Sequence, residues 1–249
     1  MSLTAKMISM KFLLLIAALF AGHSCFAEDV ERPLLPVVVK SKPHEPGQYR
    51  TWFIGNSITI CGTNPELLAT LGWNHMSGMA ASELVKDFVH LVADGIQIDR
   101  PDVKVEIGYH PGGRNVAGAL ENMQSAEDFR PDLVVIQLGE HEKASDGVDT
   151  LRTNYSKLLS KLKSLDAKVI SVGPWASGEG TYAGWWGDVQ NIMGEEAAKH
   201  NVPFISVQDL ASNPNCYGTG TSDGVKWHPN DAGHAGYASK ILTAYYGIE

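Results

Sequence analysis

From residue 51 onward the chain repeats one pattern: a short apolar run, a polar or glycine-rich turn, then apolar positions at helical spacing. Thr51-Trp52-Phe53-Ile54, closed by Gly55, predicts a buried strand. Val103, Val105 and Ile107 alternate and predict a second. Leu133-Val134-Val135-Ile136 is a continuous, largely β-branched run, the signature of a strand covered on both faces. Val169 to Val172 and Phe204 to Val207 predict a fourth and a fifth strand. Between them Leu84, Val85, Phe88, Val89 and Val92 share one helical face, as do Leu151, Tyr155, Leu158, Leu159 and Leu162. Val189, Ile192, Met193 and Ala197 mark a further helix, and Ala235 to Tyr246 the last. About five strands alternating with helices predict a mostly parallel sheet with helices on both faces, a three-layer α/β/α architecture. Right-handed crossovers then bring the carboxyl ends of the strands to one edge, where such sheets bind ligands.

The first 48 residues follow other rules. Lys6 and Lys11, the apolar run Phe12 to Ala21 and the small-x-small site Cys25-Phe26-Ala27 have the layout of a signal peptide over residues 1–27. The apolar run is too short to span a bilayer. Pro33, Pro36, Pro43, Pro46 and Gly47 make residues 28–48 an extended lead-in. Residues 49–249 then form one domain of a size that holds a substantial core. The expected localisation is periplasmic or extracellular, with cleavage near Ala27 and no stable membrane insertion. The net charge of −8 argues against nucleic acid as a partner, since phosphate binding needs clustered Lys and Arg. Export would permit a bridge between Cys61 and Cys216, and two buried thiols are the equal alternative.

The polar segments at the strand ends carry the candidate chemistry. They are Gly55-Asn56-Ser57-Ile58-Thr59, Gly108 to Asn115 with Gly112-Gly113, and Gly139-Glu140-His141-Glu142, joined by Asp223 to Asn230 near the C-terminus. Acyl transfer needs a nucleophile, a base within hydrogen-bond reach, an orienting acid and donors aimed at the developing oxyanion. A serine just past a buried strand, glycines whose amides can approach a substrate, and a histidine with a nearby aspartate fit those needs.

These segments together resemble the SGNH, or GDSL-like, hydrolases. Gly55-Asn56-Ser57-Ile58-Thr59 is similar to their first block, written GDSL or GDSIT; Gly113 matches the second; Leu138 to Glu142 the third, G-x-N-D; and Asp223 to His228 with Pro229 the last, D-x-x-H-P. The resemblance implies a flavodoxin-like fold and an esterase or deacetylase that needs no cofactor. It implies Ser57 as nucleophile and oxyanion donor, Gly113 as second donor, His228 as base and Asp223 as its orienter. The substrate class would be an acetyl or other short acyl ester, on a small molecule or a carbohydrate. A noncatalytic carbohydrate-binding protein and an acyltransferase on the same scaffold are the alternatives. Two departures stand out. His141 occupies the oxyanion-donor position usually held by Asn, where an imidazole N–H can still donate. Four residues, not two, separate Asp223 from His228, so a bulge must bring them together or the backbone or Asp231 must orient the imidazole.

Trp175, Tyr182, Trp185 and Trp186 follow the fourth strand, among glycines. Trp175, Trp185 and Trp186 are candidate sugar-stacking residues, with packing over the core as the competing and favoured role. Trp73-Asn74-His75-Met76 is a weaker wall candidate. The nine histidines show no H-x-x-x-H or H-E-x-x-H spacing and the cysteines no C-x-x-C, so no catalytic metal is expected.

Overall fold

The computed structural model describes residues 45–61, 76–112, 114–176, 184–219 and 222–248, all within one unit, Val37–Glu249. The expected signal peptide, the lead-in up to residue 44, Trp73-Asn74-His75, Gly113 and Tyr182 lie outside the described residues.

Five strands appear where the apolar runs predict them: β1 Gln48–Gly55, β2 Lys104–Tyr109, β3 Leu133–Gln137, β4 Lys168–Val172 and β5 Phe204–Ile205. All pair in parallel, in the order β2-β1-β3-β4-β5. This is the flavodoxin-like order, whose topological switch lies between β1 and β3. Gly55 pairs with Gln137, and Gln137 with Val172. The turns after β1, β3 and β4 therefore open at one level. β5 is shorter than its apolar run because the chain turns at Ser206, whose hydroxyl accepts from Gln208 N–H.

The helices are α1 Phe88–Asp99, α2 Val116–Glu121, α3 Gln124–Phe129, α4 Val148–Lys163, α5 Trp185–Lys199, α6 Gln208–Ala211, α7 Asp223–Trp227 and α8 Asp231–Gly247. The face predicted from Leu84 onward enters α1 only at Phe88. Asp87 ends the preceding turn and caps α1 by accepting from His90 N–H at 2.8 Å. Asn115 caps α2, and Asn230 caps α8 by accepting from Ala232 and Gly233.

Successive strand residues point to opposite faces. Trp52, Ile54, Val134, Ile136 and Val169 join Leu151, Tyr155, Leu158, Val189, Ile192 and Met193 in a core under α2, α4 and α5. On the other face Phe53 meets Phe88 of α1, which stacks on Tyr237 of α8. Each large apolar side chain taken fully from water stabilises the fold by about 1.5–3 kcal/mol, so both faces are firmly covered. The sheet edge is thereby rigid where its polar turns project. Among the described residues no helix is long and apolar enough to cross a membrane.

Candidate active site

The turn after β1 is built from its own backbone. Thr59 N–H and Ile60 N–H both donate to Asn56 O at 2.9 Å, and Ser57 O accepts from Met79 N–H at 2.8 Å. Gly55 is required here: a Cβ would lie 1.9 Å from Thr59 Oγ1 and 2.9 Å from Gln137 O. The result fixes Ser57 at the end of the central strand with its Oγ 2.6 Å from His228 Nε2.

His228 arrives from the other end of the sequence. Ser222 caps α7 by accepting from Val225 N–H, and the helix runs Asp223–Trp227 directly into His228. His228 N–H donates to Val225 O at 3.2 Å, and its carbonyl accepts from Gly218 N–H at 2.8 Å. The loop beyond is pinned by the Tyr217–Pro229 bridge. His228 Nδ1 lies 2.5 Å from Gly224 O. A carbonyl only accepts, so Nδ1 carries the proton and Nε2 turns a lone pair toward the Ser57 hydroxyl. Gly224 O would otherwise be an orphan carbonyl of the last helical turn, and the imidazole N–H satisfies it.

Asp223 does not take the orienting position expected of it. The residues between it and His228 form one turn of helix instead of an extended D-x-x-H loop, and Asp223 sits at the first position of that helix. Its side chain is fully exposed, with Lys226 Nζ at 3.8 Å. Asp231 is engaged elsewhere: its carboxylate accepts from Ser82 N–H and Ser82 Oγ–H at 2.6 Å each. Of the three arrangements open to the sequence, the backbone carbonyl is the one formed.

Burial lowers the His228 pKa to about 4, with smaller contributions from nearby His234 and His141 and an opposing one from the Gly224 carbonyl. The imidazole is therefore neutral at neutral pH, the state a base requires. His141 is near enough for its charge to act on His228, and its own pKa is lowered by burial and by Arg114. Ser57 N–H makes no hydrogen bond to a described residue.

The turn after β3 holds a group the sequence reading passed over. Glu140 is 8% exposed, and its carboxylate accepts from Gln137 Nε2 at 2.5 Å, Trp175 N–H at 2.7 Å and Asn56 Nδ2 at 3.3 Å. Burial raises its pKa while these donors pull the other way. Gly139 permits the turn: its φ is +128°, and a Cβ would lie 2.8 Å from Pro174 Cβ. Glu142 Oε1 accepts from Val116 N–H at 2.7 Å, fastening the same turn to α2. Nothing in the apolar pattern marks it, since β3 closes on the polar Gln137 and Glu140 stands three residues beyond, in the turn opened by Gly139.

The aromatic candidates divide. Trp175 is fully buried and packs against Tyr217 and Tyr237, so it has no face free for a sugar. Its indole N–H donates to Trp227 O at 2.8 Å. Trp185 is half-buried against the core and donates to Glu142 O at 2.8 Å, while Trp186 is half-buried. Trp227, not singled out from sequence, stands edge-on to His228 with ring centroids 4.9 Å apart and keeps some exposure. Cys61 and Cys216 are not joined to each other. No group of three or more His, Cys, Asp or Glu among the described residues is arranged to hold a metal ion.

Comparison with known proteins adds to this geometry. The GDSL-like Lipase/Acylhydrolase family matches residues 53–235. Among curated proteins none matches the chain. Similar solved structures include the acetyl xylan esterase AlAXEase, with 21% identity, 78% of this chain and 98% of that chain covered, and a TM-score of 0.55. Axe2, an acetylxylan esterase from Geobacillus stearothermophilus, has 19% identity over 81% of this chain and 95% of its own, with a TM-score of 0.57. TesA has 17% identity over 80% and 99%, with a TM-score of 0.56. At these identities the likeness carries the fold, while the family match runs from β1 into α8. The chain belongs to the GDSL-like lipase/acylhydrolase family, within the SGNH superfamily, and is a carboxylic ester hydrolase.

Proposed function

We propose that the protein is an exported serine esterase that removes acetyl or other short acyl groups from a carbohydrate or small-molecule ester. Ser57 is the nucleophile. His228 Nε2 takes its proton as Oγ attacks the ester carbonyl, then returns it to the leaving alcohol. A water activated by the same nitrogen hydrolyses the acyl-enzyme, and the second proton returns to Ser57 Oγ. The Gly224 carbonyl, not Asp223, holds the tautomer. Ser57 N–H, Gly113 N–H and His141 are the oxyanion donors. His141 acts there as a neutral imidazole at neutral pH, since its pKa is lowered.

The observation that carries this reading is the 2.6 Å contact from Ser57 Oγ to a His228 Nε2 whose tautomer is fixed from the other side. Carbohydrate esters are favoured because the similar structures include two acetyl xylan esterases. Export is inferred from Lys6, Lys11, the apolar run 12–21 and the small-x-small site ending at Ala27. The test is turnover of an aryl acetate and a panel of acetylated sugars by wild type and Ser57→Ala. We expect the variant to lose turnover while keeping its circular dichroism spectrum. Undiminished turnover in Ser57→Ala overturns the nucleophile. Acyl transfer to a sugar in preference to water would make the protein a transferase.

A further inference from the structure

One buried carboxylate connects the two halves of the site. Glu140 reaches Asn56, the residue before Ser57, through Oε2. Through Oε1 it accepts from Gln137, whose own side-chain oxygen accepts from Thr59 Oγ1, two residues after Ser57. The same Oε1 accepts from Trp175 N–H, and the Trp175 indole donates to Trp227 O, one residue before His228. Ser57 and His228 are thus flanked by groups that trace back to a single side chain. Gln137 and Thr59 are fully buried, so the branch that runs through them has no water to fall back on, while Asn56 is half-buried.

We infer that Glu140 is a positioning residue for the reaction: its carboxylate sets the Ser57 turn and, through Trp175, the His228 loop at their reacting separation. This rests on Ser57 and His228 being the reacting pair. It also accounts for the first-block residue. Position 56 holds Asn where the GDSL pattern writes Asp. A carboxylate there would face the Glu140 carboxylate, whereas an amide donates to it. The two residues form one matched donor–acceptor unit, and neither substitutes alone.

The test is a reversed pair. Glu140→Gln keeps an oxygen for Gln137 and Trp175 but turns an amide toward the amide of Asn56. Asn56→Asp sets two carboxylates together. Each single variant should lower kcat on an aryl acetate by on the order of 10- to 100-fold with KM little changed, the scale of a small displacement of reacting groups. kcat is taken per active site titrated with an organophosphonate, so that partial unfolding does not imitate the effect. In the double variant Asn56→Asp/Glu140→Gln the new amide donates to the new carboxylate, and most of the lost kcat should return. Wild-type kcat in Glu140→Gln, or a double variant as poor as the product of the two singles, overturns the inference. If Glu140→Gln fails to fold, Asn56→Ala removes one bond and leaves the rest; a per-site kcat equal to wild type then overturns it equally. Ser57→Ala separates the two levels. An inactive Ser57→Ala beside a fully active Glu140→Gln removes the positioning role alone, whereas an active Ser57→Ala removes the nucleophile itself.

Discussion

The role proposed for His228 depends on what surrounds each of its nitrogens. Gly224 O accepts a hydrogen bond from Nδ1–H, Ser57 Oγ meets Nε2, and burial holds the ring neutral down to about pH 4. A carboxylate partner would hold the pKa higher, since an anion favours the imidazolium. The acid limb of kcat/KM should therefore have its midpoint near pH 4, activity falling as pH drops and His228 takes up a proton. A midpoint at 6.5 or above in the pH profile contradicts this. Asp223, exposed and away from the imidazole, should be dispensable: Asp223→Asn should change kcat/KM by less than about 3-fold, as for a surface change of about 0.5 kcal/mol. A loss approaching about 10,000-fold in the same assay would restore it as the triad acid. In the sequence Ser57 stands out because it follows a predicted strand, and His228 because it falls in the D-x-x-H-P block of the family the chain resembles. Asp223 misled because residue spacing alone does not say whether the intervening segment is a loop or a helical turn.

At the scale of elements, the site depends on turns that only certain residues allow. The strands were legible because β-branched runs have few other uses, and β3 matches its run almost to the residue. β5 was overextended, because the hydroxyl that turns the chain at Ser206 leaves no mark in an apolar pattern. α7 was missed altogether: five residues with one apolar side turned inward carry no periodicity. It is held by its cap, so Ser222→Ala should destabilise the protein by about 1 kcal/mol in urea unfolding and lower kcat by loosening His228. Unchanged stability and kcat would show that the loop beyond His228 suffices. Gly139→Ala should cost more, about 1–3 kcal/mol, because φ of +128° and the approach of Pro174 both oppose a side chain. A urea midpoint equal to wild type would mean the turn after β3 is slack.

For the molecule as a whole, the buried histidines tie stability to pH. His110 and His228 are both held at about 4 by burial, against 6.5 for a free side chain. Between those values the unfolded chain binds more protons, so stability falls as pH is lowered through the window, by up to about 1.4 kcal/mol per pH unit for each. Glu140 and Glu142 have raised pKa values and act in the opposite sense, losing stability as pH rises through their folded values. Comparing wild type with His228→Asn isolates the histidine, because the carboxyl contribution is largely common to both. The urea midpoint of wild type should drop more steeply between pH 6.5 and 4. Parallel curves would mean His228 is not buried neutral. The fold class could be read from sequence because it depends on periodicity. The Glu140 network could not, because it forms only when three strand ends meet.

The central claim is that Ser57 is activated by His228 alone among the side chains, with a backbone carbonyl behind it. The most direct measurement is the rate of organophosphonate labelling at neutral pH, with the modified residue identified by mass spectrometry, in wild type, His228→Ala and Asp223→Ala. The account predicts an adduct on Ser57 that forms at comparable rates in wild type and Asp223→Ala and is lost in His228→Ala. An adduct on another residue, labelling of Ser57 undiminished in His228→Ala, or labelling abolished in Asp223→Ala would contradict it.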